Sequence, residues 1–104
     1  MTREEILDIL LDRLEEGTWV LAALKTAPKP LLKEQLRDKV NELYSEKTGA
    51  DETQQLISSR YILDTYTSRL EGAGLVNVEV IGRARLFSLS ELAHELLEYR
   101  KSKK

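Results

Sequence analysis

The spacing of apolar residues changes abruptly at Gly74 and changes back near residue 90. Before Gly74, apolar residues recur every three or four positions, which is typical of amphipathic helices. Two runs rich in β-branched and apolar residues follow, at 75–81 and 85–89, and they can pair as a hairpin across Gly82. Helical spacing returns at 90–97. The predicted order is therefore helix, helix, helix, helix, two strands, helix.

The first two helices are separated by small or helix-breaking residues. Thr2 is placed to cap the first helix, which closes at Gly17. Thr18 can cap a second, shorter helix. The Pro-Lys-Pro sequence at 28–30 stops that second helix, so we expect the chain to turn there.

The third and fourth helices precede the hairpin. One apolar face defines the third helix, formed by Leu32, Leu36, Val40, Leu43 and Tyr44. A loop is expected over 45–52, with Gly49 as the C-cap. The fourth helix reaches Glu71, and its start is open between Thr53 and Ser59. Its expected inward residues are Leu56, Leu63, Tyr66 and Leu70.

The last helix follows the hairpin directly. Ser88 or Ser90 is expected to cap it, and Glu91 is placed to complete a capping box with Ser88. It ends in a basic tail over 100–104.

Composition limits the class of protein. The 104 residues are expected to form one domain, 1–104, with an N-terminal helix within 1–17. Cysteine is absent and no apolar run resembles a signal peptide or a membrane span, so a cytoplasmic protein is expected. The net charge of −2 argues against indiscriminate coating of nucleic acid, although residues 1–17 carry −4 and the rest of the chain +2.

Two short sequence motifs connect this pattern to a known family. The run Leu-Glu-Gly-Ala-Gly-Leu-Val at 70–76 matches a Leu-x-x-x-Gly-Leu-Val motif of that family. The run Leu-Ser-Glu at 89–91 is similar to the family's Leu-Thr-Glu motif. With the helix order, they make the chain resemble the winged helix-turn-helix family. That resemblance implies a mainly α fold with a small two-stranded antiparallel wing and extra N- and C-terminal helices.

The resemblance also implies how the chain works. The helix ending at Glu71 would lie in a DNA major groove, and the wing would touch the backbone or the minor groove. The expected function is sequence-specific binding of double-stranded DNA by a homodimeric transcriptional regulator, nucleoid-associated when bound. The residues expected to contact DNA are Ser59, Arg60, Tyr61, Thr65, Ser68, Arg69, Arg83 and Arg85.

These residues have different expected roles. Arg60 is the first choice for reading guanine, because a guanidinium can bond two acceptors on that base. Tyr61 and Thr65 can contact phosphates or a thymine methyl, while Arg69 is better placed for the backbone. Arg83 and Arg85 can enter a minor groove, where negative potential favours arginine. Alternatively, the wing arginines only solubilise an exposed hairpin, and Arg60 and Arg69 are only members of a solvated helix face.

A second class of function stays open. The same fold also serves as a protein-interaction module without DNA binding. The sequence pI of about 5.5 and the acidic Asp64 and Glu71 on the proposed reading helix favour that alternative.

A dimer is expected because paired recognition helices can reach successive major grooves. The expected interface comprises Ile6, Leu7, Leu10, Leu14, Leu92, Leu96 and Tyr99. The alternative is that these residues only complete the core of their own chain.

Catalytic and metal chemistry is not expected. His94 is the only histidine, and its neighbouring glutamates do not match a zinc motif. No phosphate loop, serine elbow or cysteine nucleophile is present, so we expect neither an enzyme nor a cofactor. Ligand sensing near Trp19 and Tyr99 is a weaker possibility, for which the sequence shows no polar anchor.

Overall fold

The computed structural model describes residues 2–49 and 55–102. Within them, eight elements follow one another: α1 (Arg3–Leu14), α2 (Thr18–Thr26), β1 (Leu31–Leu32), α3 (Lys33–Thr48), α4 (Arg60–Gly72), β2 (Val76–Ile81), β3 (Ala84–Leu89) and α5 (Glu91–Ser102). A single 3-10 turn joins α1 to α2. The predicted mainly α fold with an antiparallel wing and additional terminal helices is confirmed. The end of the expected loop after Gly49, the possible helix start at Thr53 and the last two lysines lie outside the described residues.

The sheet contains one strand more than the sequence predicted. β2 and β3 pair antiparallel from Val76 opposite Leu89 to Ile81 opposite Ala84, as expected for the wing. The turn between them contains Gly82, whose φ of +61° is readily adopted only by glycine. β1 pairs with the other edge of β3, so the strand order is β1-β3-β2. A strand of two residues is too short to show an alternation of apolar and polar side chains, so the sequence did not predict β1.

The core lies where α2, α3, α4 and α5 meet the inner face of the sheet. Its largest fully buried side chains include Leu21, Leu36, Leu63, Leu70, Phe87 and Leu96. Each fully buried leucine or phenylalanine contributes about 1.5–3 kcal/mol relative to an exposed one. Burial of such residues from each of these elements fixes α4 and the wing relative to one another.

The boundary between α3 and the following loop differs from the prediction. Residues 45–48 continue α3 instead of beginning the loop. No residue in that stretch breaks a helix, and Thr48 Oγ1 donates to the Tyr44 carbonyl 2.7 Å away. The helix ends at the C-cap Gly49, with a φ of +75° and an N–H that donates to the Ser45 carbonyl. The predicted cap at Gly49 is therefore confirmed. The helix continues for about one turn beyond the predicted apolar face.

The N-terminal caps are partly as predicted. Thr2 Oγ1 accepts a hydrogen bond from the Glu5 N–H at 3.1 Å, so the predicted cap of α1 is confirmed. Thr18 is not a cap, because it is already the first residue of α2. Gly17 has helical angles, φ −60° and ψ −20°, so the chain passes from α1 into α2 without an extended residue.

Ser90, not Ser88, caps the last helix. The Ser90 hydroxyl accepts from the Ala93 N–H at 3.1 Å and donates to the Gly74 carbonyl at 2.7 Å. Ser88 lies inside β3, so the predicted capping box with Glu91 is wrong. The double role of Ser90 connects the end of the wing to the glycine that begins it.

α1 packs against α5. Arg3 forms a hydrogen-bonded ion pair with Glu95, and the Tyr99 hydroxyl donates to an oxygen of Asp8 at 2.9 Å. The Arg3 hydrogen bond also lowers the pKa of Glu95.

The same packing corrects part of the expected dimer interface. Leu7, Leu14 and Leu96 are buried within the chain itself and therefore have no surface to offer a partner. The remaining candidates are not fully buried. They are Ile6, Leu10, Leu92 and Tyr99.

Candidate nucleic-acid interface

The segment that leads into α4 is held by one side chain of α3. Asn41 Nδ2 donates to the Ile57 carbonyl at 3.0 Å, and the Ile57 N–H donates to Asn41 Oδ1 at 2.9 Å. The Ile57 side chain is 1% exposed, so it is also anchored in the core. The two hydrogen bonds and the buried side chain together fix where α4 begins.

Ser59 caps α4, which settles the start of this helix. Residues 55–59 are not helical, and Ser59 is extended with a φ of −148°. Its hydroxyl oxygen accepts a hydrogen bond from the Ile62 N–H at 3.2 Å. The capped end is exposed and carries the positive end of the helix dipole, a favourable position for a phosphate.

One accessible stripe of α4 contains most of the expected DNA contacts. Tyr61, Thr65, Ser68 and Arg69 follow one another at helical spacing, and the Tyr61 side chain is 78% exposed. Ser68 and Arg69 are exposed, and Thr65 is half-buried. Among the described residues, no carboxylate lies within ion-pair distance of Arg69. This stripe presents hydroxyl groups and one cation to solvent.

Arg60 occupies a second stripe, which faces α3. Its guanidinium lies 3.6 Å from a Glu34 oxygen and 3.4 Å from an Asp64 oxygen. Asp64 also pairs with Lys33, and the hydrogen bond from Lys33 is the main cause of the lowered pKa of Asp64. The expected base reader is thus positioned at the start of α4 but is neutralised by carboxylates. Lys33 and Glu34 lie outside the apolar face by which the sequence predicted α3, so the sequence provided no signal for their contacts with α4.

The wing places two arginines close to its tip. Arg83 directly follows Gly82, and Arg85 lies opposite Val80 in the hairpin. Arg85 reaches back to α4, with its terminal nitrogen 3.5 Å from a Glu71 oxygen. This exposed ion pair connects the wing to the end of α4.

Two apolar residues also lie close to the wing tip. Val80 and Ile81 are 63% and 57% exposed. Their sequence predicted only that they belong to a strand. Their exposure shows that the tip presents methyl groups as well as guanidinium groups.

Within residues 2–49 and 55–102, no group of three histidine, aspartate or glutamate side chains could hold a metal ion. Nor does any helix within these residues have the length and apolar character needed to cross a membrane.

Comparison with known proteins agrees with this geometry. The chain is 36% identical over 102 residues to the DNA-binding protein TubR of Bacillus cereus (strain ATCC 10987 / NRS 248), covering 94% of this chain and 85% of the relative. No family model matches the sequence.

Solved structures show the same fold. TubR bound to 24 bp of tubC, from Bacillus thuringiensis serovar israelensis pBtoxis, superposes with a TM-score of 0.62 at 18% identity, over 94% of this chain and 95% of that one. A structure of the type III plasmid segregation protein TubR gives 0.60 at 19% identity, over 100% and 89%. The sequence relationship to the Bacillus cereus protein and the shared winged-helix fold show that the chain belongs to the TubR family.

Proposed function

We propose that this chain binds double-stranded DNA sequence-specifically through α4 and the wing. The observation that carries the proposal is the exposed, Ser59-capped N-terminus of α4, which lies on a scaffold shared with TubR. A relative at 36% identity is named a DNA-binding protein, and one structural neighbour is a complex with DNA. In helix-turn-helix proteins, the N-terminal residues of the recognition helix contact base edges.

The accessible stripe of α4 suits a major groove. Tyr61 and Thr65 offer hydroxyl groups for phosphates or a methyl contact for thymine. Arg69, about two and a half turns from the start of α4, is placed for the DNA backbone, and Ser68 lies beside it. Ser59 contributes through its cap. The cap leaves the first N–H groups of α4 available to bind a DNA phosphate.

Arg60 reads a base only after exchanging its ion pairs. Exposed pairs such as those with Glu34 and Asp64 contribute little to stability, so two acceptors on guanine can replace them. The carboxylates repel phosphates in any register where no guanine is present. We propose that this exchange makes binding weak on random DNA and stronger on a matching site.

The wing completes the proposed footprint. Arg83 at the tip is exposed. Arg85 lies close to the tip, within ion-pair distance of Glu71. A narrow minor groove concentrates negative potential and favours arginine. The methyl groups of Val80 and Ile81 are positioned to enter the same groove.

We further propose that the binding unit is a homodimer. Ile6 is 44% exposed on α1, while Leu10 of α1 and Leu92 and Tyr99 of α5 are partly buried. Ile9, 45% exposed, lies on α1 beside them. A symmetric contact across α1 and α5 would cover this apolar surface and double the number of DNA contacts.

Two cellular roles use such binding. Transcription regulation is what the winged-helix resemblance implies, and plasmid segregation is the role of one TubR structural neighbour. Both place the protein in the cytoplasm on DNA. Deleting the coding sequence distinguishes them: altered transcripts beside the bound site support regulation, whereas faster loss of the replicon carrying that site supports segregation.

Fluorescence anisotropy on random-sequence duplex, followed by selection of a bound sequence from a random pool, tests the proposal. Light scattering on the same sample gives the mass of the complex. We expect a dimer, a steep loss of affinity with salt, and recovery of one preferred sequence. Absence of binding at low salt would contradict the proposal and favour the protein-interaction alternative, to which the self-paired Arg60 and Arg85 also point.

A further inference from the structure

A groove crosses the surface of α2 between α3 and α5. It consists of two adjoining cavities of about 380 and 240 Å³, which share Ala22, Thr26 and Arg100. We call this feature the α2 groove. Its volume is in the range of protein binding sites, and its length follows the exposed side of α2 over about two helical turns.

The floor of the α2 groove is apolar. Trp19, Ala22 and Leu43 form one half, and Leu97 contributes to the other. The Trp19 indole packs edge-on against Tyr44, with ring centroids 5.3 Å apart and an interplanar angle of 83°. This contact holds the indole in place, so the floor has a fixed shape before anything binds.

The rim of the α2 groove is basic. Lys47 comes from α3, Arg100 and Lys101 come from α5, and Lys25 comes from α2. Lys25 pairs with Glu98 at 3.4 Å. Within the described residues, no carboxylate lies within ion-pair distance of the other three cations. Such a concentration of positive charge is unexpected in a chain with a net charge of −2.

The α2 groove is separate from the proposed DNA interface. Lys33 at the start of α3 belongs to the α4 side, whereas Lys47 lies near its end. Fourteen residues of helix place these two positions about 20 Å apart. The groove is also distinct from the proposed dimer surface, because Leu97 and Arg100 lie on a different face of α5 from Leu92 and Tyr99.

We propose that the α2 groove binds an acidic amphipathic helix of a partner protein. Apolar side chains at i, i+4 and i+7 of that helix would fill the floor over Trp19, Ala22 and Leu43. Its carboxylates would pair with Lys47, Arg100 and Lys101 and fix its direction. Nucleic acid suits this site less well, since a phosphate backbone has no apolar face to cover the floor.

Trp19 supplies the measurement, because it is the only tryptophan in the sequence. The probe is a synthetic amphipathic helix of about 15 residues with leucine at i, i+4 and i+7 and glutamate elsewhere on its flanks. Titrating it into the full chain is expected to change Trp19 emission saturably. The same peptide with lysine in place of glutamate, and one with serine in place of leucine, are expected to leave the emission unchanged.

Variants of the full chain assign the binding to the groove. We expect Lys47→Glu combined with Arg100→Glu to weaken peptide affinity at least about tenfold. The matched control, Arg13→Glu combined with Lys29→Glu, makes the same change in net charge at exposed positions outside the groove and should retain binding. Ala22→Gln is a second variant, which partly fills the groove and keeps its charge. It should also weaken peptide binding.

Several results would overturn the proposal. These are equal binding of the lysine peptide, equal weakening by the control variant, or no emission change with the acidic peptide. Displacement of the peptide by a DNA duplex, together with loss of duplex binding in the Lys47→Glu/Arg100→Glu variant, would instead assign the groove to the nucleic-acid surface. Circular dichroism melting of each variant separates loss of binding from loss of the fold.

Discussion

The Asn41 side chain donates to and accepts from the backbone of Ile57, across 16 residues of sequence. It therefore satisfies both backbone polar groups of Ile57, which lies in a segment that is neither helix nor strand. The bonds hold residues 55–59 against α3, and Ser59 then caps α4 where the segment ends. The Asn41 amide and the buried Ile57 side chain thus together position the start of the proposed reading helix.

Removing this amide should destabilise the fold and displace α4. We expect Asn41→Ala to lower the free energy of unfolding by about 1–3 kcal/mol, because Ile57 is left with unsatisfied backbone groups. Asn41→Asp retains the acceptor and loses the donor, so an intermediate loss is expected. Urea denaturation measures both, with Asn77→Ala on the exposed side of β2 as control. An unchanged midpoint for Asn41→Ala would contradict this role.

Two substitutions at Ser59 separate capping from charge. Ser59→Ala should cost about 1 kcal/mol of stability, because the Ile62 N–H loses its acceptor. Ser59→Asp preserves the cap and adds a negative charge at the proposed phosphate position. We therefore expect Ser59→Asp to melt like the wild type and to bind DNA weakly. Wild-type DNA affinity in a folded Ser59→Asp protein would argue against a phosphate at this end of α4.

Asp64→Asn should strengthen binding to random-sequence DNA. The substitution removes a negative charge from α4 and releases Lys33 and Arg60 from their shared partner. Anisotropy at several salt concentrations should show tighter binding and a steeper dependence on salt. Glu46→Gln, at the far end of α3, is the matched control for net charge. Equal effects of both variants would show that only the overall charge matters.

The same carboxylate should contribute to acid sensitivity. The Lys33 hydrogen bond lowers the folded-state pKa of Asp64, and the Arg3 hydrogen bond lowers that of Glu95. Their stabilisation is therefore present above the unfolded pKa of about 4 and is lost as pH falls through the folded values. We expect wild-type stability to decrease as the pH falls below the unfolded pKa of about 4. Asp64→Asn combined with Glu95→Gln should show a smaller decrease, measured as urea midpoints across pH; an identical decrease would refute this linkage.

Exposed and buried positions of α1 should respond differently. Ile6→Lys places a charge in the proposed dimer surface, and we expect sedimentation equilibrium to show a monomer that remains folded. Leu7→Ala instead removes a side chain from the core and should cost about 2–5 kcal/mol. A dimer that persists in Ile6→Lys would exclude this surface as the interface.

Periodicity and turn chemistry predicted the long helices and the wing, because those signals are local. Gly82 and Gly49 have the positive φ values expected of a hairpin turn and a helix end. Features that depend on distant partners were missed. They include the two-residue β1, which exists only through pairing with β3, and the Asn41–Ile57 contact.

The candidate site was predictable as a set of residue types and not as a set of contacts. The sequence indicated Arg60 and Asp64 on the same helix, but their shared network with Glu34 and Lys33 arises from the packing of α3 on α4. The sequence likewise shows that Leu7 is an apolar residue of α1. It does not show which side of α1 faces the chain's own core.

The most direct test of DNA recognition by α4 compares the wild type with Arg60→Ala/Arg69→Ala on the selected duplex across a salt series. Lys47→Ala/Arg100→Ala, in the α2 groove, removes the same charge elsewhere. We predict that only the Arg60→Ala/Arg69→Ala protein loses sequence preference, with a salt slope smaller by about one phosphate contact per protomer, that of Arg69. Retained affinity and preference in that folded variant, or equal loss in the groove variant, would contradict the assignment of α4 as the reading helix.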